Sequence, residues 1–458
     1  MDPRLDTDLA GMPDLLGAVQ DYAHDIIAGL DDRPVTSPAR PPSSERLPTR
    51  GAGGAAALRH FGSRWAPGFS ASAGPRYLGF VTGGATPAAV AGDWLTSVFD
   101  QNTITVQDSA ASALERETVR WIRELLDLPD DVSGAFVTGA TMSNLTGLAL
   151  AREWVGDRLG VSVSAQGVAA LGPVAVLSGA AHSTISKALS VLGLGRDSLR
   201  PVALLPGREA VDIDALRTAL REQDGRPAIV VANAGTVNTG DFDDLGAIAD
   251  LRDEFPFWLH VDGAFGAFAA LSPSSAHLAE GLSRADSVCV DLHKWLNVPY
   301  DSGIQLTRHQ DLQARVFSNA SAYIGFPDAE PDFVHLTPES SRRLRALPAW
   351  FTLYAYGRDG HREIVERTIA LARRVGRQLA EIDGVELLAP VRLNIVCVKV
   401  PGDPADLARR IAETGVTFVT PTVHRDAPAL RLAFSNWRTS EADADRIVEV
   451  FRRVLSDG

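Results

Sequence analysis

Apolar residues along this chain recur with two different periods. Between residues 8 and 30, Leu9, Met12, Leu15, Leu16, Val19, Tyr22, Ile26, Ile27 and Leu30 fall near helical spacing and predict one amphipathic helix. A Pro-, Ser- and Arg-rich stretch then runs from Asp31 to Arg50 and is too polar to build a core alone. The helix before it is therefore expected to pack on the main body or on another copy of the chain, and exchange of an N-terminal arm in a homodimer is the preferred reading. From about residue 90 onward, helical patterns alternate with short β-branched runs at 134–138, 174–177, 228–232, 257–261 and 287–290. Strands alternating with helices imply an α/β fold, a mostly parallel sheet covered on both faces. A long helical pattern starts near Arg343, and a smaller unit follows, with strands at 394–400 and 430–434 and helices at 406–414 and 440–455. The expected organisation is a helical arm over 1–90, a large domain over 91–345 and a small C-terminal α/β domain over 346–458, with no internal repeat.

Composition narrows the function. A chain of 458 residues exceeds one small core. Hydrophobic residues make up 45% and charged residues 22%, and 57 acids against 44 bases leave a net charge of −13. That balance argues against a general binder of nucleic acid or of anionic membranes. Cys289 and Cys397 each sit inside an apolar run, which points to core packing rather than to a disulfide framework or a metal site. The N-terminus has no basic segment leading into an apolar one, and no stretch reaches ~18 uninterrupted apolar residues. A cytoplasmic enzyme acting on a small molecule is expected.

The candidate chemistry lies at strand ends, where open α/β sheets bind ligands. The run from Phe257 to Val261 stops at Asp262, and the run from Val288 to Val290 leads to Asp291, His293 and Lys294. A lysine amine that forms a Schiff base and a carboxylate that keeps a pyridine nitrogen protonated are what pyridoxal phosphate requires. An acid at a strand end can also cap a helix or pair with a cation, and a lysine can be surface decoration. Lys294, however, lies in a low-charge stretch where an unpaired amine is costly to bury. Upstream, Gly139-Ala140-Thr141-Met142-Ser143 passes from a strand through small residues into a helix, as a phosphate-binding turn does and as many ordinary turns do. His182 follows the strand at 174–177 and can stack on a flat cofactor or cap a helix. Thr236, after the strand at 228–232, can donate to ring substituents or serve only its turn. A phosphate-type turn, a His, a polar Thr turn, an Asp and a Lys thus follow one another along the chain.

With these motifs the chain resembles the group II pyridoxal-phosphate-dependent amino acid decarboxylases, which include aromatic amino acid, histidine and glutamate decarboxylases. The most specific parts are His260-Val261-Asp262-Gly263-Ala264 and His293-Lys294-Trp295, supported by His182 with Lys187-Ala188, by Leu192-Gly193-Leu194-Gly195, and by Leu430-Arg431-Leu432 with Asn436 and Thr439. The resemblance covers the chain from about Arg76 onward. It implies a fold type I enzyme with a mostly parallel seven-stranded sheet. It also implies that Lys294 carries the cofactor, that Asp262 pairs with the pyridinium nitrogen, and that His182 stacks on the ring and borders the substrate. Ala140 and Thr141 would hold the phosphate with His293 and Asp291, the last at a position where relatives often have Asn. Ser112 matches a substrate-contacting hydroxyl position.

The implied reaction is decarboxylation of an L-amino acid to the amine, through an external aldimine and a quinonoid. Counting back from Arg342-Arg343 without a gap, Asp332-Phe333-Val334-His335 resembles the mobile loop whose tyrosine protonates the carbanion in aromatic amino acid decarboxylases. Phe333 has no proton to give. That implies either an oxygen-dependent side reaction yielding aldehyde and ammonia, as in plant aldehyde synthases, or another donor such as Tyr323, His335 or His182. A carbon-carbon lyase of the sphingosine-phosphate type and a non-catalytic binding protein are the rival readings. The first sits badly with a polar N-terminus, and the second with the presence of both Lys294 and Asp262.

Overall fold

The structure is a computed structural model, and it describes residues 1–37, 41–105, 109–319 and 330–457. Strand β1 (Ser133–Val137) is followed by β2 (Val176–Ser178), β3 (Leu199–Pro201), β4 (Ala228–Asn233), β5 (Phe257–Asp262), β6 (Ser287–Val290) and β7 (Gly303–Thr307). They form one seven-stranded sheet in the order β1-β7-β6-β5-β4-β2-β3. Strands β2 to β6 pair in parallel, whereas β7 runs antiparallel to both β1 and β6. Every residue of β4, β5 and β6 is buried, which is why these strands read as continuous apolar runs rather than as alternation.

The helix Ala140–Arg158 lies on this sheet and packs against β5, β6 and β7. A helix over Pro87–Phe99 spans the expected boundary at residue 90 and packs against the long helix Ala346–Ala380. The latter is interrupted at Gly357, whose φ of 56° only glycine adopts without strain. The C-terminal sheet is antiparallel, in the order β10-β11-β9-β8, where β8 is Glu386–Leu387, β9 Ile395–Lys399, β10 Thr420–His424 and β11 Ala427–Ala433. It shares a core with the helices Pro404–Glu413 and Glu441–Ser456.

Two expectations change. The single helix over 8–30 is two helices, Pro3–Ala10 and Met12–Ala28, parted at Gly11. Pro13, two residues beyond, lacks the N–H that would bond back across the break, so it suits the first turn of a new helix. Strands β3 and β7 were not anticipated. The first is a three-residue edge strand whose Arg200 and Pro201 face solvent, so it carries no apolar signal. The second, Gly-Ile-Gln-Leu-Thr, mixes polar and apolar residues, because Gln305 spends its amide on Leu306 O and Gln313 inside the core.

Candidate active site

The carboxyl ends of β1, β5 and β6 converge on one set of side chains. Lys294 sits in the short helix Leu292–Trp295 that follows β6. Its Nζ lies 3.2 Å from Asp291 Oδ2 and 5.8 Å from the centre of the Phe265 ring. His293 Nε2 is also 3.2 Å from Asp291 Oδ2, and the Ala140 N–H donates to Asp291 Oδ1 at 3.0 Å. Burial pushes the Asp291 carboxyl up, but the charges and hydrogen bonds of Lys294 and His293 outweigh it and hold the carboxyl below its ordinary range. Asp291 is thus an anion shared by the lysine, the histidine and a helix N-terminus. The Tyr300 ring packs on His293 with centroids 4.2 Å apart, and burial raises its hydroxyl to about 12.

Asp262 ends β5. Its Oδ2 accepts from Asn144 Nδ2 at 2.9 Å and its Oδ1 from the Ala264 N–H at 3.2 Å. His182 caps the helix Ser183–Val191 and places Nδ1 2.8 Å from Thr184 Oγ1. Burial lowers the His182 pKa, while Asp262 and Asp291 pull it up and Lys294 and Arg431 push it down. Such effects fade with distance, so all four charges surround this imidazole. Arg431, on β11, brings the C-terminal sheet to the site. Its Nη1 and Nη2 donate to Val237 O and Phe80 O at 3.1 and 3.0 Å, with no carboxylate partner among the described residues.

These residues fit pyridoxal phosphate. After Ala140, the next two amides of the helix N-terminus, those of Thr141 and Met142, meet no acceptor among the described residues, which suits a phosphate. The Thr141 side chain is exposed beside them. A Cβ on Gly139 would lie 3.1 Å from His293 Cε1 and 3.2 Å from Asp291 Oδ1, so only glycine leaves the turn this open. A lysine amine, a buried carboxylate and a neutral-leaning imidazole complete the set a pyridine aldehyde needs.

The pyridoxal-dependent decarboxylase conserved domain matches residues 61–401. The chain belongs to this decarboxylase family. An aromatic-L-amino-acid decarboxylase of Bacillus atrophaeus is 30% identical over 393 residues, covering 82% of this chain and 80% of its own length. An L-2,4-diaminobutyrate decarboxylase of Rhizobium meliloti is 31% identical over 379 residues, 79% of this chain and 74% of that protein. The crystal structure of Oryza sativa TDC with PLP and tryptamine shares the fold, with a TM-score of 0.90 at 23% identity and 98% of both chains covered. The enzyme is accordingly a pyridoxal-phosphate-dependent carboxy-lyase of fold type I.

Within this decarboxylase, three expected site residues face elsewhere. The Thr236 hydroxyl donates to Glu209 Oε2 at 2.6 Å, a carboxylate that also takes Thr239 Oγ1 and lies 3.1 Å from His424 Nδ1 of the small domain. Thr236 therefore joins a contact that reaches β10 of the C-terminal sheet through Glu209. Ser112 is buried and gives its hydroxyl to Thr105 O at 2.7 Å. Phe333 is a core side chain clustered with Ala135 and Leu336, its ring between the guanidiniums of Arg116 at 5.1 Å and Arg342 at 4.9 Å. Phe333 is thus a buried packing residue here, and Tyr323 lies outside the described residues. Asn144 and Arg431 are the site residues that sequence reasoning missed. Asn144 follows the phosphate turn by one helical turn, a spacing that placed it on the same face as Ala140 and Thr141.

Proposed function

We propose that this enzyme removes the α-carboxylate of an L-amino acid as carbon dioxide and returns the amine. Bound pyridoxal phosphate supplies an electron sink for the pair left on the α-carbon. The observation that carries the reading is the Lys294 amine, 3.2 Å from Asp291 at the mouth of a phosphate-type helix N-terminus and within electrostatic reach of His182.

The chain's own groups have distinct tasks. Lys294 would provide the amine that tethers the cofactor, with Asp291 3.2 Å from it to position that amine. Thr141, the two open amides and His293 would hold the phosphate, the hydrogen-bonded Asp262 carboxylate would pair with the ring nitrogen, and His182 would lie against the ring. Burial keeps His182 neutral at neutral pH, so it can carry a proton at one nitrogen toward the substrate without adding charge. Relatives are named for aromatic amino acids and for 2,4-diaminobutyrate, so the side-chain pocket, not the cofactor site, sets the choice of substrate. Loading the purified protein with pyridoxal phosphate and offering a panel of L-amino acids should release carbon dioxide and amine in equal amounts from at least one. Absence of carbon dioxide with every amino acid, from protein that has bound the cofactor, would overturn the reading.

A further inference from the structure

Behind Asp262 runs a chain of buried polar side chains whose two ends dictate its direction. At one end the Trp258 indole Nε1–H, which can only donate, lies 2.9 Å from Ser287 Oγ. Ser287 Oγ lies 2.8 Å from His260 Nδ1, and in a neutral ring that donates from Nε2, Nδ1 can only accept the Ser287 proton. His260 Nε2 lies 2.9 Å from Asn144 Oδ1, and Asn144 Nδ2 lies 2.9 Å from Asp262 Oδ2. The carboxylate at this far end can only accept. Each link therefore has one sense: Trp258 to Ser287 to His260 to Asn144 to Asp262. Trp258, Ser287, His260 and Asn144 are all fully buried at 0% exposure, so no water competes for these bonds. Burial also lowers the His260 pKa to about 4, which keeps the ring neutral with its single proton on Nε2. The space for it is provided by Gly147, where a Cβ would come within 2.7 Å of His260 Cε1 and Nδ1.

The second N–H of the Asn144 amide points the other way. Nδ2 also lies 3.2 Å from Thr184 Oγ1, and that hydroxyl is 2.8 Å from His182 Nδ1. The Thr184 backbone N–H approaches the same Nδ1 at 3.3 Å. A nitrogen that receives two donors carries no proton, so the His182 proton resides on Nε2. One amide thus forks to the Asp262 carboxylate and, through Thr184, to the His182 imidazole.

We infer that Asn144 is a positioning residue that sets the orientation of the Asp262 carboxylate and the tautomer of His182 together, and that His260 holds its amide the right way round. This rests on the functional reading above. Without the His260 donor, Asn144 can flip and turn its carbonyl oxygen toward the Asp262 carboxylate, exchanging an attraction for a repulsion.

The test compares cofactor-loaded wild type with His260→Leu, His260→Gln and Asn144→Ala, reading the release rate of pyridoxal phosphate after dilution and the absorbance bands of the bound cofactor. His260→Gln retains a donor to Asn144 and an acceptor for Ser287, so it should stay within about threefold of wild type. His260→Leu and Asn144→Ala should release the cofactor about tenfold or more faster, the change expected from losing a hydrogen bond to a charged group, and should alter the ratio of the bands. If Asn144→Ala does not fold, Asn144→Ser, which can serve only one branch, is read in its place. Wild-type release rates and spectra in both His260→Leu and the Asn144 variant overturn the proposal, as does a His260→Gln protein as impaired as His260→Leu. A wild type that takes up no cofactor overturns the functional reading itself.

Discussion

At the scale of single residues, Lys294 and Asp262 bear the sharpest tests. Lys294→Ala should abolish carbon dioxide release and the borohydride-reducible mass adduct on this peptide, because no second amine lies in the same turn. Mass spectrometry of the reduced protein checks it. Asp262→Asn should leave the fold intact, since the amide can still meet Asn144, and, if Asp262 is the ring-nitrogen partner proposed above, slow turnover by about a hundredfold or more through loss of that anion. Circular dichroism and turnover measured side by side distinguish the two effects. The residue types for this chemistry were legible in the chain because they end apolar runs. What Thr236, Ser112 and Phe333 touch was not, since a hydroxyl or a ring finds partners that are distant in sequence, such as Glu209 for Thr236 and Arg116 for Phe333.

At the scale of elements, β1 is pinned to the helix Ala111–Leu125 by a fully buried ion pair. Arg342 Nη2 lies 2.7 Å from Glu115 Oε1, both side chains at 0% exposure, and Arg342 also donates to Phe136 O and Thr103 O. Glu115 in turn accepts the Phe136 N–H at 3.1 Å. Removing one member leaves the other charge buried without its partner. Glu115→Leu should therefore cost about 3–5 kcal/mol and lower the thermal midpoint clearly, while exchanging both residues for apolar ones should cost much less. A thermal scan of the single and double variants decides. The five apolar runs read from the sequence all became strands of the large sheet, because burial on both faces demands uninterrupted apolar residues. Edge strand β3 and the polar-lined β7 escaped for the converse reason.

At the scale of the whole molecule, the N-terminal helices Pro3–Ala10, Met12–Ala28 and Gly54–Arg64 bury no residue, although Leu9, Met12, Leu16, Val19, Ile27 and Phe61 are large apolar side chains on them. Trp94, Val98 and Phe99 are exposed as well. An apolar surface of this extent calls for a covering partner. Light scattering should give twice the 48.8 kDa of one chain, and deletion of residues 1–50 should shift the mass toward a monomer. Acid should weaken the fold. Burial pushes the His260 and His361 imidazoles down to about 4 and the Asp243 carboxyl up to about 6. Each histidine contributes stability that is complete above the ordinary value of ~6.5 and is lost as pH falls toward 4, because the unfolded chain binds the proton first. Asp243 acts oppositely between about 4 and 6, where the folded state holds the proton, so two histidines against one acid leave a net loss. The thermal midpoint should fall between pH 7 and pH 5, and His361→Phe should flatten that slope.

Taken alone, the sequence determined the alternating α/β architecture and placed a lysine, an aspartate and a histidine at or just beyond strand ends. Local pattern suffices there, since strand burial and turn chemistry are written in consecutive residues. Only the tertiary structure decided that Asp291 takes the first amide of the helix beginning at Ala140, and that Phe333 packs within cation–π distance of two guanidiniums. Only it decided that Asn144 links Asp262 to His260 across 118 and 116 positions of chain. Those contacts join residues whose separation along the chain says nothing of their separation in space, and a polar side chain settles on a partner only once packing has excluded water from both.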